Sequence, residues 1–359
     1  MGLLIAPHTV YKAERKTEDA ASGKTTGCIL CFWLEYGLFE MINWRHEGRD
    51  KLVKIVAIRT VNYIGDALFV FPTLAALRAK YPQAHITLIS YRLVLPLAQA
   101  WGLADEVFDC AEERWKSLAA PVGIYNDDAR NVIKGADCVI YWDVDIRGKV
   151  TFNVREEGVK DVFVAPETPI EIGAMHIADF MPKAVGLQAL GIEHVLTTYV
   201  PPRWSGSNSF CFFQPPIAVH PGSTDAKRRW PTRSFAEVIN TLLRLKYPVL
   251  LLGGPSEAET LKKVRKHIEP RLQSGKLTVL ENAPLLTVAA QLQQSRFFLG
   301  NDSGIGHLAG LVGVPVLGLF GPTDPVHKRP AGPYVETIQE MPLKKLHPEK
   351  VLAHILRRL

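Results

Sequence analysis

From Lys51 onward the chain repeats one pattern: a short β-branched run, then an amphipathic stretch of helix length. In the first half the runs are KIVAIRT (54–60), ITLIS (86–90), EVFDC (106–110) and DCVIYWD (137–143), with helix-like stretches at 66–80 and 92–101. Strands that alternate with helices build a parallel sheet covered on both faces. In 66–80, Ala67, Val70, Phe71, Leu74 and Leu77 recur at three- and four-residue steps, which predicts one buried stripe. Pro72 falls in the first two turns of that helix, where a missing N–H is tolerated. Residues 201–216 (PPRWSGSNSFCFFQPP) interrupt the pattern with Pro and Ser/Gly/Asn and read as a linker. The alternation then restarts. Strands are predicted within 216–223 and at 248–254, 277–281, 296–301 and 314–320, the last finishing the sheet. Helices are predicted at 233–246, 256–267, 285–294 and 304–312. The fold class is α/β, with two Rossmann-like halves in tandem.

At about 150 residues per domain, 359 residues suit two domains plus tails. A composition of 47% hydrophobic and 22% charged residues excludes a disordered chain, and no run reaches 18 uncharged apolar residues. The formal charge of +6 favours anionic partners such as phosphorylated metabolites or an acidic membrane surface. Without a Lys/Arg block or an RNA-binding aromatic signature, nucleic acid is the weaker choice. Five scattered cysteines (Cys28, Cys31, Cys110, Cys138, Cys211) read as reduced thiols of a cytosolic protein. Cys28 and Cys31 form C-x-x-C without the second pair that a zinc site needs. Residues 1–50 read as an N-terminal extension. Its apolar stretch 27–44 is interrupted by Glu35 and Glu40 and fits a secretory signal poorly. A segment packed on the domain, or an extension ahead of a start at Met41, is preferred to an interfacial helix anchored by Phe32, Trp33, Phe39 and Trp44.

Open parallel sheets bind ligands outside the carboxyl ends of their strands, so the polar residues just after each strand are the candidates. Gly300-Asn301-Asp302-Ser303-Gly304-Ile305-Gly306-His307 follows an apolar strand and opens a helix of small residues. The free amides of 303–306 and the helix dipole make it a phosphate site, with Asp302 or Ser303 also able to cap the helix. Gly65-Asp66 lies between the first strand and first helix, where a carboxylate serves either as general base or as a first-turn acid. Ser223, Thr224, Lys227 and Arg228 follow the first strand of the second half. Hydroxyls and cations in that place can hold phosphate oxygens, although such clusters are often solvated turns. Glu257, after Gly253-Gly254, could accept from a sugar hydroxyl or simply occupy a first turn. Asp143-Val144-Asp145 mimics a D-x-D metal pair, a pattern that chance produces often. No G-x-G-x-x-G follows either first strand, which disfavours simple NAD binding.

IGDALFVFPTLAALRAKYPQAHITLI, PGS…KRRWP…F and NDSGIGHLAGLVGVPVLGLFGPTDP together resemble glycosyltransferase family 9, the ADP-heptose:lipopolysaccharide heptosyltransferases. The likeness runs from about Lys54 to the C-terminus and is strongest over 296–325, where D-[ST]-G-x-x-H precedes G-P-T-D-P. The resemblance implies a GT-B enzyme, with two Rossmann-like domains facing a central cleft. Residues 51–200 would take the acceptor, 217–345 the nucleotide-sugar donor, and 346–359 would form a helix crossing back onto the first domain. It implies Asp66 as general base, with Gly65 beside it on the acceptor side. Ser223, Thr224 and a following cation match the family's phosphate loop. Asp302, Ser303, Gly304 and His307 match its donor motif, and Glu257 matches an acid that holds the donor. Family members usually carry Lys two residues before the Trp. Here Arg228 stands there and Lys227 one place earlier, which leaves open the cation that meets the diphosphate.

The implied reaction is inverting heptosyl transfer from ADP-heptose to a lipopolysaccharide inner-core acceptor, with no cofactor and no obligatory metal. The partners are the donor, a lipid-linked saccharide and the cytoplasmic membrane face, where Lys344-Lys345 and Arg357-Arg358 suit peripheral attachment. A transferase or epimerase of the same architecture using another nucleotide-sugar is the alternative. A nucleotide-binding protein without catalysis is weaker still.

Overall fold

The computed structural model describes residues 52–165, 175–187, 214–273 and 275–359. Residues 1–51 and most of the expected linker, with Cys28, Cys31 and Cys211, lie outside the described residues.

The first sheet has five parallel strands: β1 (Lys54–Ile58), β2 (His85–Ser90), β3 (Glu106–Asp109), β4 (Cys138–Tyr141) and β5 (Asp161–Val164), in the order β3-β2-β1-β4-β5. Its helices are α1 (Ile64–Leu68), α2 (Phe71–Lys80), α3 (Leu95–Ala100), α4 (Asp127–Ile133), α5 (Lys149–Glu156) and α6 (Ile177–Lys183). The stretch expected as one helix over 66–80 is thus two. Pro72 has no N–H for the Leu68 carbonyl, and its ring crowds that carbonyl, so the ladder breaks at Phe69–Val70 and restarts with Pro72 in a first turn. The predicted stripe is nonetheless buried throughout.

The second sheet has six parallel strands: β6 (Ile217–His220), β7 (Val249–Gly253), β8 (Leu277–Glu281), β9 (Phe297–Asn301), β10 (Val316–Phe320) and β11 (Val335–Gln339), in the order β11-β10-β9-β6-β7-β8. The helices are α7 (Thr232–Arg244), α8 (Ala258–Lys266), α9 (Pro270–Gln273), α10 (Leu285–Gln293), α11 (Gly304–Leu311), α12 (Pro325–Lys328) and α13 (Pro348–Leu356). β10 does not finish the sheet as expected. β11 adds an edge strand, VETIQ, whose alternating polar residues carry a weak strand signal. The expected crossing of the C-terminal helix is also corrected. Val351 and Ile355 on α13 are fully buried in the second half's core with Phe235 and Ile239. The approach to that helix is held by Trp230 Nε1 donating to the Leu346 carbonyl at 3.0 Å.

Strand order reverses between β1 and β4 and between β6 and β9, so each sheet opens a crevice beyond those strand ends. The halves share a core in which Leu68, Phe69 and Met181 pack in one cluster with Leu292, Leu308 and Leu311. Arg59, just after β1, is fully buried. Its guanidinium Nη1 donates to the Trp142 carbonyl beyond β4 at 2.9 Å, and Nε reaches the Asp66 carbonyl at 3.4 Å. This cation ties two strand ends to the first turn of α1. Arg59→Leu should lower unfolding stability by about 2–3 kcal/mol, because it leaves buried carbonyls without a charged donor. Urea denaturation of both proteins checks this, and equal midpoints would remove Arg59 as a structural tie.

Candidate active site

On the first half the site is the tip of α1. Tyr63 supplies extended backbone, and Ile64-Gly65-Asp66 then turn into the helix with Asp66 in its first turn. On the second half it is the tip of α11, where Ser303 is the N-cap and its hydroxyl accepts from the Gly306 amide at 3.5 Å. The two tips touch. A Cβ on Gly304 would lie 2.7 Å from Ile64 Cβ and 3.0 Å from the Gly65 nitrogen, and a Cβ on Gly65 would lie 2.9 Å from His307 Cδ2. Glycine at both positions is what lets backbone meet backbone.

His307 fills the space behind this contact. Its ring stands edge-on to Phe69 at 4.7 Å, and its Nδ1 has no hydrogen-bond partner. Burial pushes its pKa down, opposed by the charges of Asp302 and Asp66 and aided by those of Lys328 and Arg228, so the ring is neutral. Leu68, Phe69, Pro72, Ala178, His307, Leu311 and Ala331 line a small cavity of about 10 Å³ beside it.

Beyond β6 and β9 the polar residues form a connected set. Ser223 Oγ donates to the Asp302 carbonyl at 2.9 Å, and Asn301 Nδ2 donates to the Pro221 carbonyl at 2.8 Å. Asn301 Oδ1 in turn receives the Trp230 amide at 3.0 Å. These bonds lock the 221–230 loop to the start of α11. Arg228 spans the set, with Nη1 3.2 Å from Asp302 Oδ2 and Nη2 2.7 Å from Thr224 Oγ1. Lys227 contributes its amide to Asp225 Oδ1, and its side chain is exposed. Arg228, not Lys227, is therefore the cation that joins Thr224 to Asp302.

His220, the last residue of β6, links the remaining candidates. Its Nε2 donates to Glu257 Oε2 at 2.9 Å, and its Nδ1 lies 3.1 Å from Ser303 Oγ. With the proton on Nε2, Nδ1 accepts the Ser303 hydroxyl hydrogen. A relay then runs from Gly306 N–H through Ser303 and His220 to Glu257. Glu257 also accepts from the Gly254 amide at 2.8 Å. Burial raises its carboxyl, but the bond and charge of His220, the Gly254 amide and the Arg229 charge outweigh that and bring it down to about 2. Its other oxygen sits where a Cβ on Gly222 would be, 1.6 Å away, so only glycine at 222 leaves it room.

The structure thus brings Gly65 and Asp66 against Gly304 and His307, and links Ser223, Thr224, Arg228, Glu257, Asp302 and Ser303 directly or through His220. It leaves Lys227 outside. The D-x-D pair does not form a metal seat. Asp145 accepts from the Val150 and Thr151 amides at the start of α5, and Asp143 accepts from Thr60 Oγ1 and the Val144 amide. Among the described residues no group of three or more His, Cys, Asp or Glu is placed to hold a metal. Sequence reasoning assigned no role to Arg59, His220 or Lys328, whose Nζ lies 3.9 Å from Asp66 Oδ1. The apolar neighbours of Arg59 and the place of His220 at a strand end were the available signals for the first two.

Residues 181–355 match the family model described as glycosyltransferase family 9 (heptosyltransferase). Lipopolysaccharide heptosyltransferase 3 of Escherichia coli (strain K12) is 23% identical over 293 residues, covering 75% of this chain and 83% of that protein. The solved structure of E. coli ADP-heptose lps heptosyltransferase II superposes with a TM-score of 0.65 at 18% identity, covering 85% of this chain and 98% of that one. E. coli heptosyltransferase WaaC with ADP superposes with a TM-score of 0.62 at 19% identity, covering 86% and 100%. The fold is the GT-B arrangement of those structures. The chain carries a glycosyltransferase family 9 domain and is a glycosyltransferase.

Glu257 gives this site a pH signature. A carboxyl depressed on folding contributes stability that is present above its ordinary value of 4.5 and is lost as pH falls towards 2. Wild type should therefore be more stable than Glu257→Gln at neutral pH, with the gap in melting temperature closing between pH 4.5 and 2. Thermal melts across that range check it. A gap independent of pH would show that the carboxylate's charge plays no part.

Proposed function

We propose that this family 9 glycosyltransferase transfers heptose from ADP-heptose to the inner core of lipopolysaccharide, by one inverting displacement and without a metal. The observation that carries the reading is the contact of the α1 and α11 tips, which sets Asp66 beside the Asp302–His307 loop. The names of the relatives support the sugar and acceptor, and the bound ADP of one similar structure supports the nucleotide.

The donor diphosphate would lie over the α11 tip. First-turn amides not taken by the Ser303 cap and the helix dipole favour an anion there, and Arg228, Thr224 and Ser223 stand beside it. The acceptor hydroxyl would approach from the first half. Asp66 takes its proton as the oxygen attacks the anomeric carbon. The bond from that carbon to the diphosphate oxygen breaks on the opposite side, and ADP leaves with the electron pair. Arg228 and the amides meet the charge that develops on the diphosphate, the task a metal serves in other transferases. Glu257 is fully used by His220 and Gly254 on one oxygen, so its role is to orient Ser303 and the loop while its second oxygen faces Gly222.

We place the reaction at the cytoplasmic membrane face, where the lipid-linked acceptor resides. No helix among the described residues is long and apolar enough to cross a membrane. Lys344 and Lys345 are exposed and suit a peripheral attachment to anionic lipid. Arg358 is committed to Glu336 and is less suited.

The test is heptosyl transfer from ADP-heptose to heptose-deficient lipopolysaccharide, in buffer containing EDTA. Wild type should be active there, while Asp66→Asn should lose at least about a hundredfold in kcat with donor affinity within twofold. An Asp66→Asn enzyme that turns over like wild type would sink the general-base assignment. Loss of activity in EDTA that magnesium restores would sink the metal-free mechanism.

A further inference from the structure

The residue that pairs with the Asp66 carboxylate comes from the other half of the molecule, from a turn that no donor motif includes. α12 follows the Gly321-Pro322-Thr323-Asp324 loop, and Asp324 caps it by accepting from the Val326 amide at 2.9 Å. On either side of Lys328 this turn is pinned to the first half. His327 Nδ1 donates to the Met175 carbonyl at 3.1 Å, and His176 Nε2 donates to the Arg329 carbonyl at 2.7 Å. His176 is buried, and its Nδ1 accepts from the Ala178 amide, so both ring nitrogens are committed. Burial lowers its pKa to about 4, which keeps that pin neutral and intact at physiological pH.

Between the pins, Lys328 Nζ stands 3.9 Å from Asp66 Oδ1, with the ammonium side chain 38% and the carboxylate 25% exposed. The other charged or titratable groups near Asp66 are differently placed. Arg59 addresses its backbone carbonyl, neutral His307 packs on Gly65, and Arg228 is paired with Asp302. We propose that Lys328 is a positioning residue for Asp66, delivered across the cleft by the His327–Met175 and Arg329–His176 bonds, so that the base is set in place only when the two halves are docked. The proposal rests on the heptosyltransferase reading, in which Asp66 is the base. A separation of 3.9 Å is close enough to orient the carboxylate and long enough to leave its lone pairs open to the acceptor hydroxyl. The proton from the acceptor stays on Asp66 until ADP has left.

Two measurements on the full chain decide it. Carbodiimide joins an amine to a carboxylate only at contact, so wild type should yield a linked peptide between Asp66 and Lys328. The link should be absent in Asp66→Asn and in Lys328→Met. In the transfer assay Lys328→Met should lose roughly ten- to hundredfold in kcat with donor KM within twofold, and Lys328→Arg should recover most of it. Absence of the cross-link in folded wild type would overturn the pairing whether or not the enzyme transfers heptose. Loss appearing in donor KM would make Lys328 a donor contact instead. If Asp66→Asn is inactive while Lys328→Met is unimpaired, the functional reading stands and this inference fails. If wild type makes the cross-link but transfers no heptose, it is the functional reading that fails.

Discussion

The meeting of the two halves at the site depends on the approach of Gly65 to Gly304. Two helix tips, one from each sheet, come within van der Waals distance because neither has a side chain at the point of contact. A methyl group on either glycine meets Ile64, the Gly65 nitrogen or the His307 ring below ordinary contact distance. That constraint holds Asp66 beside the α11 tip and closes His307 away from water. It also lets Leu68 and Phe69 share a core with Leu308 and Leu311. The halves are therefore joined by apolar packing behind the site and by polar contacts around it.

The second half's loops are organised independently of that contact. Asn301 binds the Pro221 carbonyl and the Trp230 amide, so β9 and the loop after β6 are tied together. His220 extends the tie to Glu257 and thus to β7. Neighbouring β6, β7 and β9 in the sheet order explain why residues far apart in sequence meet at one edge. The result is a preorganised cluster of hydroxyls, amides and the guanidinium groups of Arg228 and Arg229, suited to the diphosphate proposed to bind there.

Much of this was legible from the chain itself. The tandem βαβ pattern marked both sheets. Asp66, Ser223, Asp302, Ser303 and Gly304 stood out because small and acidic residues directly after apolar strands sit at the edge where parallel sheets bind ligands. What escaped did so for physical reasons. The split of α1 from α2 follows from one proline whose position also suits an unbroken helix. β11 is an edge strand, half-buried and partly polar, and so lacks the apolar run of its neighbours. α13 has an apolar stripe, but a stripe does not say which sheet it covers, and Val351 and Ile355 chose the second. Arg59 and Lys328 are separated in sequence from what they bind, and only the docking of loops gives them partners. That Arg228, and not Lys227, joins Thr224 to Asp302 depends on the direction of side chains in the short helical turn at 226–228, which spacing does not determine.

The proposed function makes the loop cluster at the α11 tip the seat of an adenosine diphosphate donor. The direct measurement is thermal stabilisation of the full chain by ADP, UDP and GDP, in wild type and in Asp302→Ala. Binding to the native state at about a hundred times the dissociation constant adds about 2.7 kcal/mol, well within the reach of a melt. A seat of this kind should give a rise with ADP that Asp302→Ala abolishes. Equal stabilisation of both proteins, a response to UDP or GDP in place of ADP, or no response to any of the three would contradict it.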